Sequence, residues 1–165
     1  MAQVPQEVGM TVKDAMTKNP ITIDPNAPLG TAVATMTERQ VRHLPVVDDQ
    51  GRLVGMITDR DLRNAAFAPA LAEYLSRGAQ RRLRGVTATL EELRVRDAMT
   101  WGVVTTSPEA PLAQAAAIMA EGRFGSLPVV EGGKLVGLVT ERDVLKALAT
   151  TLPAVRGLDP DTYLW

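Results

Sequence analysis

The stretch LVGMITDRD (Leu53–Asp61) returns later in the chain as LVGLVTERD (Leu135–Asp143). In each copy an apolar, β-branched run ends in Gly-x-x-Thr-x-x-Asp, so a strand hands over to a helix whose first turn carries an acid. Taken once, Thr-x-x-Asp is a loose capping box: the hydroxyl accepts a backbone N–H and the acid sits at the positive helix end. Taken twice in 165 residues, it marks a repeated unit.

The repetition extends outward on both sides. VKDAMT (Val12–Thr17) matches VRDAMT (Val95–Thr100), and TIDPNAPL (Thr22–Leu29) matches TTSPEAPL (Thr105–Leu112) at the same offset. HLPVVDDQGRLVGMITDRDL (His43–Leu62) then matches SLPVVEGGKLVGLVTERDV (Ser126–Val144), with one residue lost between DDQGR and EGGK. A deletion is tolerated best in an exposed turn, and Asp, Gly and Gly-Gly are turn residues.

Each unit reads as β-α-β-β-α. A β-prone segment, Pro20–Ile23 or Val103–Thr106, is stopped by Pro25 or Pro108, and a helix follows Pro28 or Pro111. Leu29, Val33 and Met36, like Leu112, Ala116 and Met119, recur at i, i+4, i+7 on one helix face. A hairpin built on Leu-Pro-Val-Val comes next, and a second helix starts near Thr58 or Thr140. A unit of roughly 50 residues closes a poor core alone, so an α/β (α+β) fold is expected in which the two repeats pack about a pseudo-two-fold axis. Met16, Met36, Met99 and Met119, at matched positions, read as core.

Composition excludes several function classes. Apolar content of 45% with 22% charged residues is ordinary globular composition, and a formal net charge of −1 offers nothing to nucleic acid or an anionic membrane. Aromatic content of 4% provides no stacking platform, and the absence of cysteine excludes disulfides and thiol catalysis. No basic n-region precedes an apolar run at the N-terminus, and no stretch of eighteen apolar residues occurs, so a cytoplasmic protein without a membrane span is expected. No nucleophile neighbours an oriented base, and no residue set has metal-ligand spacing, so neither catalytic nor metal residues are assigned. His43, the sole histidine, reads as structural.

The capping residues also suit a ligand. A strand leading into a helix N-terminus makes a corner of free N–H groups that favours anions. An ionised Asp61 accepts hydrogen bonds only, and the two vicinal hydroxyls of a ribose are natural donors to it. Thr58 offers its hydroxyl to a phosphate, and Gly55 and Gly137, where a strand normally carries side chains, allow close approach.

The doubled DAMT, the Pro-bounded segments, Leu-Pro-Val-Val and the doubled Gly-x-x-Thr-x-x-Asp together resemble a tandem pair of CBS domains, the module named after cystathionine beta-synthase. The resemblance covers residues 8–66 and 86–149, leaving 67–85 as a helical connector and 150–165 as a C-terminal tail. It implies a non-catalytic regulatory or energy-sensing module that forms homodimers and acts on a separate effector protein. Its implied ligand is an adenine nucleotide (AMP, ADP or ATP) or S-adenosylmethionine, held in clefts between the repeats with no obligatory cofactor. Carried over by position, Asp61 and Asp143 meet the ribose and Thr58 and Thr140 the phosphate, with Arg60 and Arg142 in reach of it. Ile21, Val104, Met56 and Leu138 make apolar contacts with the base, and Thr17 and Thr100 lie near the entering strand. Val41, Arg42 and His43, with Phe124, Gly125 and Ser126, line the cleft and give backbone bonds to the base.

Two rival readings start from the same residues. In a ligand-free scaffold the Thr-x-x-Asp only caps helices; in a phosphohydrolase Asp59 and Asp61 act as a pair. The connector arginines Arg81, Arg82 and Arg84 read as a solvated helix face, and Tyr163, Leu164 and Trp165 as apolar anchors of the tail.

Overall fold

Two antiparallel hairpins, one per repeat, organise the chain in the computed structural model, which describes residues 9–65 and 91–151. The connector arginines and the tail anchors lie outside the described residues. The first repeat comprises α1 (Val12–Ala15), β1 (Thr17–Lys18), α2 (Leu29–Arg39), β2 (His43–Val47) and β3 (Leu53–Thr58), then α3, helical over residues 59–65. The second repeats this order as α4 (Val95–Ala98), β4 (Thr100–Trp101), α5 (Leu112–Gly122), β5 (Ser126–Glu131), β6 (Lys134–Thr140) and α6 (Glu141–Thr151). The mixed α/β class and the doubled unit are as the sequence predicts.

Turn chemistry differs where the deletion falls. In β5–β6, Gly132 and Gly133 both take positive φ, at 56° and 79°, which is the tight two-residue turn that matches strand twist. In β2–β3, Asp48 instead accepts backbone bonds from Gln50 and Arg52, with Gly51 alone at positive φ.

The expected strands at Pro20–Ile23 and Val103–Thr106 shrink to single parallel bridges, Ile23 with Val46 and Thr106 with Val129. Proline explains both. Ile23 donates to the Pro45 carbonyl and accepts from Val47, and the ladder's next donor on each side is Pro25 or Pro45, neither of which has an N–H. Pro108 and Pro128 truncate the second repeat's ladder in the same way.

The heads of the two repeats are exchanged. β1 pairs with β6 of the second repeat, while β4 pairs with β3 of the first, giving three-stranded sheets β1-β6-β5 and β2-β3-β4. Val12 of the first head is fully buried in the core with Leu112, Met119, Leu127, Val129 and Val139. Val95 and Met99 of the second head are buried with Leu29, Met36, Leu44, Val46 and Ile57. Hydrogen bonds repeat the exchange: Val12 donates to Ala110 and Val95 to Ala27, Lys13 to Pro108 and Arg96 to Pro25, Leu29 to Leu93 and Leu112 to Met10. This reciprocity is a pseudo-two-fold relation written in the backbone.

The same exchange accounts for Gly55 and Gly137. A Cβ on Gly55 would lie 2.6 Å from the Thr100 carbonyl oxygen and 3.0 Å from Met99 Sδ, and one on Gly137 would collide with Met16 Sδ. The close approach inferred from sequence is real, but the partner is the other repeat's head and its methionine, with no room left for a ligand there.

Truncating Val95 therefore tests the exchange. Val95→Ala is expected to destabilise the fold by about 2 kcal/mol. In native-state hydrogen exchange the lost protection should appear in β2 and β3. Loss confined to β5 and β6, the strands of its own repeat, would contradict the exchanged packing.

Candidate functional site

β3 delivers Thr58 to the start of α3, and β6 delivers Thr140 to the start of α6. Asp61 Oδ2 accepts from the Thr58 backbone N–H at 2.9 Å and from its hydroxyl at 2.7 Å, while the Asp61 N–H donates back to Thr58 Oγ1 at 3.3 Å. Thr140 and Asp143 repeat these bonds at 3.0, 2.7 and 3.3 Å. The capping box is thus complete in both repeats.

Completion changes what each group offers. The Thr58 proton is committed to Asp61, so the hydroxyl holds the carboxylate and is no donor to a phosphate unless it turns away. Asp61 Oδ1 accepts nothing among the described residues and stays available as a charged acceptor. Asp59, four residues before Arg63, is held by that guanidinium at 2.8 and 3.3 Å. Asp59 and Asp61 therefore face different partners, and no cluster of three potential metal ligands exists among the described residues.

The Thr58–Asp61 corner opens into a cleft of about 670 Å³, within the usual range for small-molecule sites. Its walls come from both repeats. Of the residues singled out in the sequence, Arg42, His43, Met56, Thr58, Arg60, Asp61, Thr100, Val104, Phe124, Gly125 and Ser126 line it. Ile21, Val41, Leu138, Thr140, Arg142, Asp143 and Thr17 do not; each is the repeat counterpart of a residue that does. Val104 and Phe124 are 45% and 38% exposed, so apolar surface is present for a flat ring. The Phe124 ring lies against the Gly122 backbone, where any Cβ would collide with it.

The Arg42 and Gly125 carbonyls each already accept a helix-start amide, from Asp59 and Glu141 at 3.1 Å. These segments thus fasten α3 and α6 as well as line the cleft. Arg63 and Arg123 also line it and were missed. Arg123 directly precedes the named Phe124, and Arg63 is Asp59's i+4 partner, so adjacency and helix spacing are the signals that point to them.

Comparison with known proteins agrees with this architecture. The family model for the CBS domain matches residues 12–68 and 95–150. A CBS domain-containing protein of Dictyostelium discoideum is 36% identical over 148 residues, covering 87% of this chain and 94% of its own length. In curated relatives from Methanocaldococcus jannaschii the match spans only 22% to 43% of their length. The crystal structure of CBSX2 in complex with AMP superposes with a TM-score of 0.70 at 30% identity, covering 87% of this chain and 98% of that one. The CBS domain pair of protein MJ0100, in complex with 5-methylthioadenosine and S-adenosyl-L-methionine, gives a TM-score of 0.67 at 28% identity, with the same coverage.

His43 is half-buried in the wall of the cleft, its Nε2 3.0 Å from where a Gly125 Cβ would lie, closer than ordinary van der Waals contact. Burial, then Arg42, pushes its pKa below the ordinary 6.5; Asp59, Glu141 and Asp61 oppose this. The folded state therefore favours the neutral ring, and the unfolded chain binds the extra proton first as pH falls. Stability contributed by the neutral ring is complete above the unfolded value and is lost as pH drops through the folded pKa. Asp14 and Asp48 are shifted down from 3.8, so they act in a lower window. Urea midpoints should fall between about pH 7 and pH 5, and His43→Gln should flatten that slope; an unchanged slope would exclude the imidazole as its source.

Proposed function

Because the chain belongs to the CBS-domain family, we propose that it is a regulatory module that binds an adenosine-containing nucleotide in clefts between its repeats. The observation that carries this reading is the half-used carboxylate of Asp61. Its Oδ2 is fixed by Thr58 while Oδ1 is open, in a cleft that also holds apolar wall and guanidinium groups. A ribose diol would donate to Oδ1, the base would lie against Val104, Met56 and Phe124, and phosphates would meet arginine. The ligands named for CBSX2 and MJ0100, AMP and S-adenosyl-L-methionine, share the adenosine that such a site would recognise. Asp143 would serve the second corner in the same role.

The module is read as non-catalytic. Asp59 is neutralised by Arg63 and Asp61 is engaged with Thr58, so the pair lacks a shared substrate-facing geometry. No described helix is long and apolar enough to cross a membrane. We place the module in the cytoplasm and assign the exposed Leu145 and Leu148 of α6, at 64% and 52%, to contact with a second copy in a homodimer. Output to a separate effector would follow from different affinities of the ligand for two states of the pair.

Calorimetry with AMP, ADP, ATP and S-adenosylmethionine tests the assignment. Asp61→Asn keeps an acceptor for the cap but removes the charge, so melting should change little. Losing a charge-assisted bond of roughly 1.5–3 kcal/mol should weaken binding by about tenfold or more. Trp101, flanked by the cleft residues Thr100 and Gly102, gives a fluorescence check. Unchanged affinity in both Asp61→Asn and Asp143→Asn would refute the ribose contact, and no binding of any of the four ligands would favour the scaffold.

A further inference from the structure

The two corners share their cap but differ in charge. At the first, Arg42, Arg60, Arg63 and Arg123 line the cleft with Asp59, Asp61 and Glu141. Asp59 is compensated by Arg63, and Asp61 is the residue assigned to ribose. Arg42, Arg60 and Arg123 form no ion pair among the described residues, and Glu141 alone remains against them. At the second corner, the repeat relation puts Gln40 where the first has Arg123, and Leu145 where it has Arg63. Glu141, the counterpart of Asp59, thus has no arginine one turn along, and the repeat relation gives this corner two guanidinium groups, Arg142 and Arg42 (the counterpart of Gly125), against four at the first.

We infer that the two corners select different ligand charge: the Asp61 cleft takes a nucleoside polyphosphate, with Arg123 as its selectivity residue, and the Asp143 corner takes an adenosine derivative of low charge. This rests on the proposed nucleotide function and adds which site reads the phosphates. Arg123 ends α5 at φ 55°, and Gln40 ends α2 at φ 53°. The two residues thus stand on the same left-handed backbone, a conformation in which glycine is the default. Both side chains are already accommodated there, so exchanging them alters charge with little change in backbone. A guanidinium on this cap can form charge-assisted bonds to phosphate oxygens, which a neutral amide replaces poorly.

The experiment is titration of the full chain and of Arg123→Gln, Arg123→Lys and Gln40→Arg with ATP and, separately, adenosine. Arg123→Gln should weaken ATP by about tenfold or more while adenosine shifts less than about twofold, and Arg123→Lys should restore part of the loss. Gln40→Arg should tighten the weaker ATP equivalent, giving two sites of similar affinity. Equal loss of ATP and adenosine in Arg123→Gln would overturn selectivity and leave Arg123 a packing residue. Unchanged ATP affinity in that variant would overturn it as well. If the unaltered chain binds neither ligand, the nucleotide function itself fails, an outcome distinct from the other two.

Discussion

Neither repeat can be completed without the other's head, and the rest of the molecule depends on that exchange. The hairpin β2–β3 gains its third strand from β4, and β5–β6 gains its third from β1. Val12 and Val95, at 0% exposure, fill cores that contain no other described residue of their own head's repeat hairpin. Burying such a side chain contributes about 1.5–3 kcal/mol, so each head stabilises the opposite core by an amount that matters against marginal total stability. An intertwined pair must therefore fold as a unit, and the cleft between the repeats inherits fixed walls from both.

The exchange also explains why the glycines and methionines are where they are. Met16 and Met99 cross the opposite sheet at Gly137 and Gly55, where a Cβ would run into the Met16 side chain at the first and the Thr100 carbonyl and Met99 side chain at the second. Methionine suits such a place because its unbranched, polarizable chain fills irregular gaps. Sequence spacing correctly marked both residue types as special. It could not say that they meet each other across repeats, because matching a repeat to its copy reveals equivalence and hides which copy supplies the partner.

That limit marks what was legible more generally. The hairpins, the helices after Pro28 and Pro111, and the capping boxes were readable because each depends on local chemistry within a few residues. The strands at Pro20–Ile23 and Val103–Thr106 were over-read, since β propensity there is defeated by prolines on both sides of a ladder that only the fold brings together. Among candidate site residues, Asp61, Thr58, Arg42, His43, Met56, Val104, Phe124, Gly125 and Ser126 meet in one cleft. Arg63 and Arg123 escaped because exposed charge on a helix carries no mark of the surface it faces. The hydroxyl of Thr58 was given a phosphate in the sequence reading, whereas its proton belongs to Asp61.

A cleft built this way couples occupancy to the seam between the repeats. β3 and β4 pair through only two residue couples, Gly55 with Trp101 and Met56 with Thr100. Met56 and Thr100 both line the cleft, as do Asp61 in the first turn of α3 and Val103 and Val104 just beyond β4. A ligand seated there would touch both sides of the shortest ladder in its sheet and would favour the paired arrangement over an opened one by the difference in its affinity for the two. The core beneath holds Val95 and Met99, which enter it directly ahead of β4, so the cleft lies over the packing of the second repeat's head on the first repeat's core. The fold thus places one of its two short inter-repeat ladders, each of two residue couples, against the cleft.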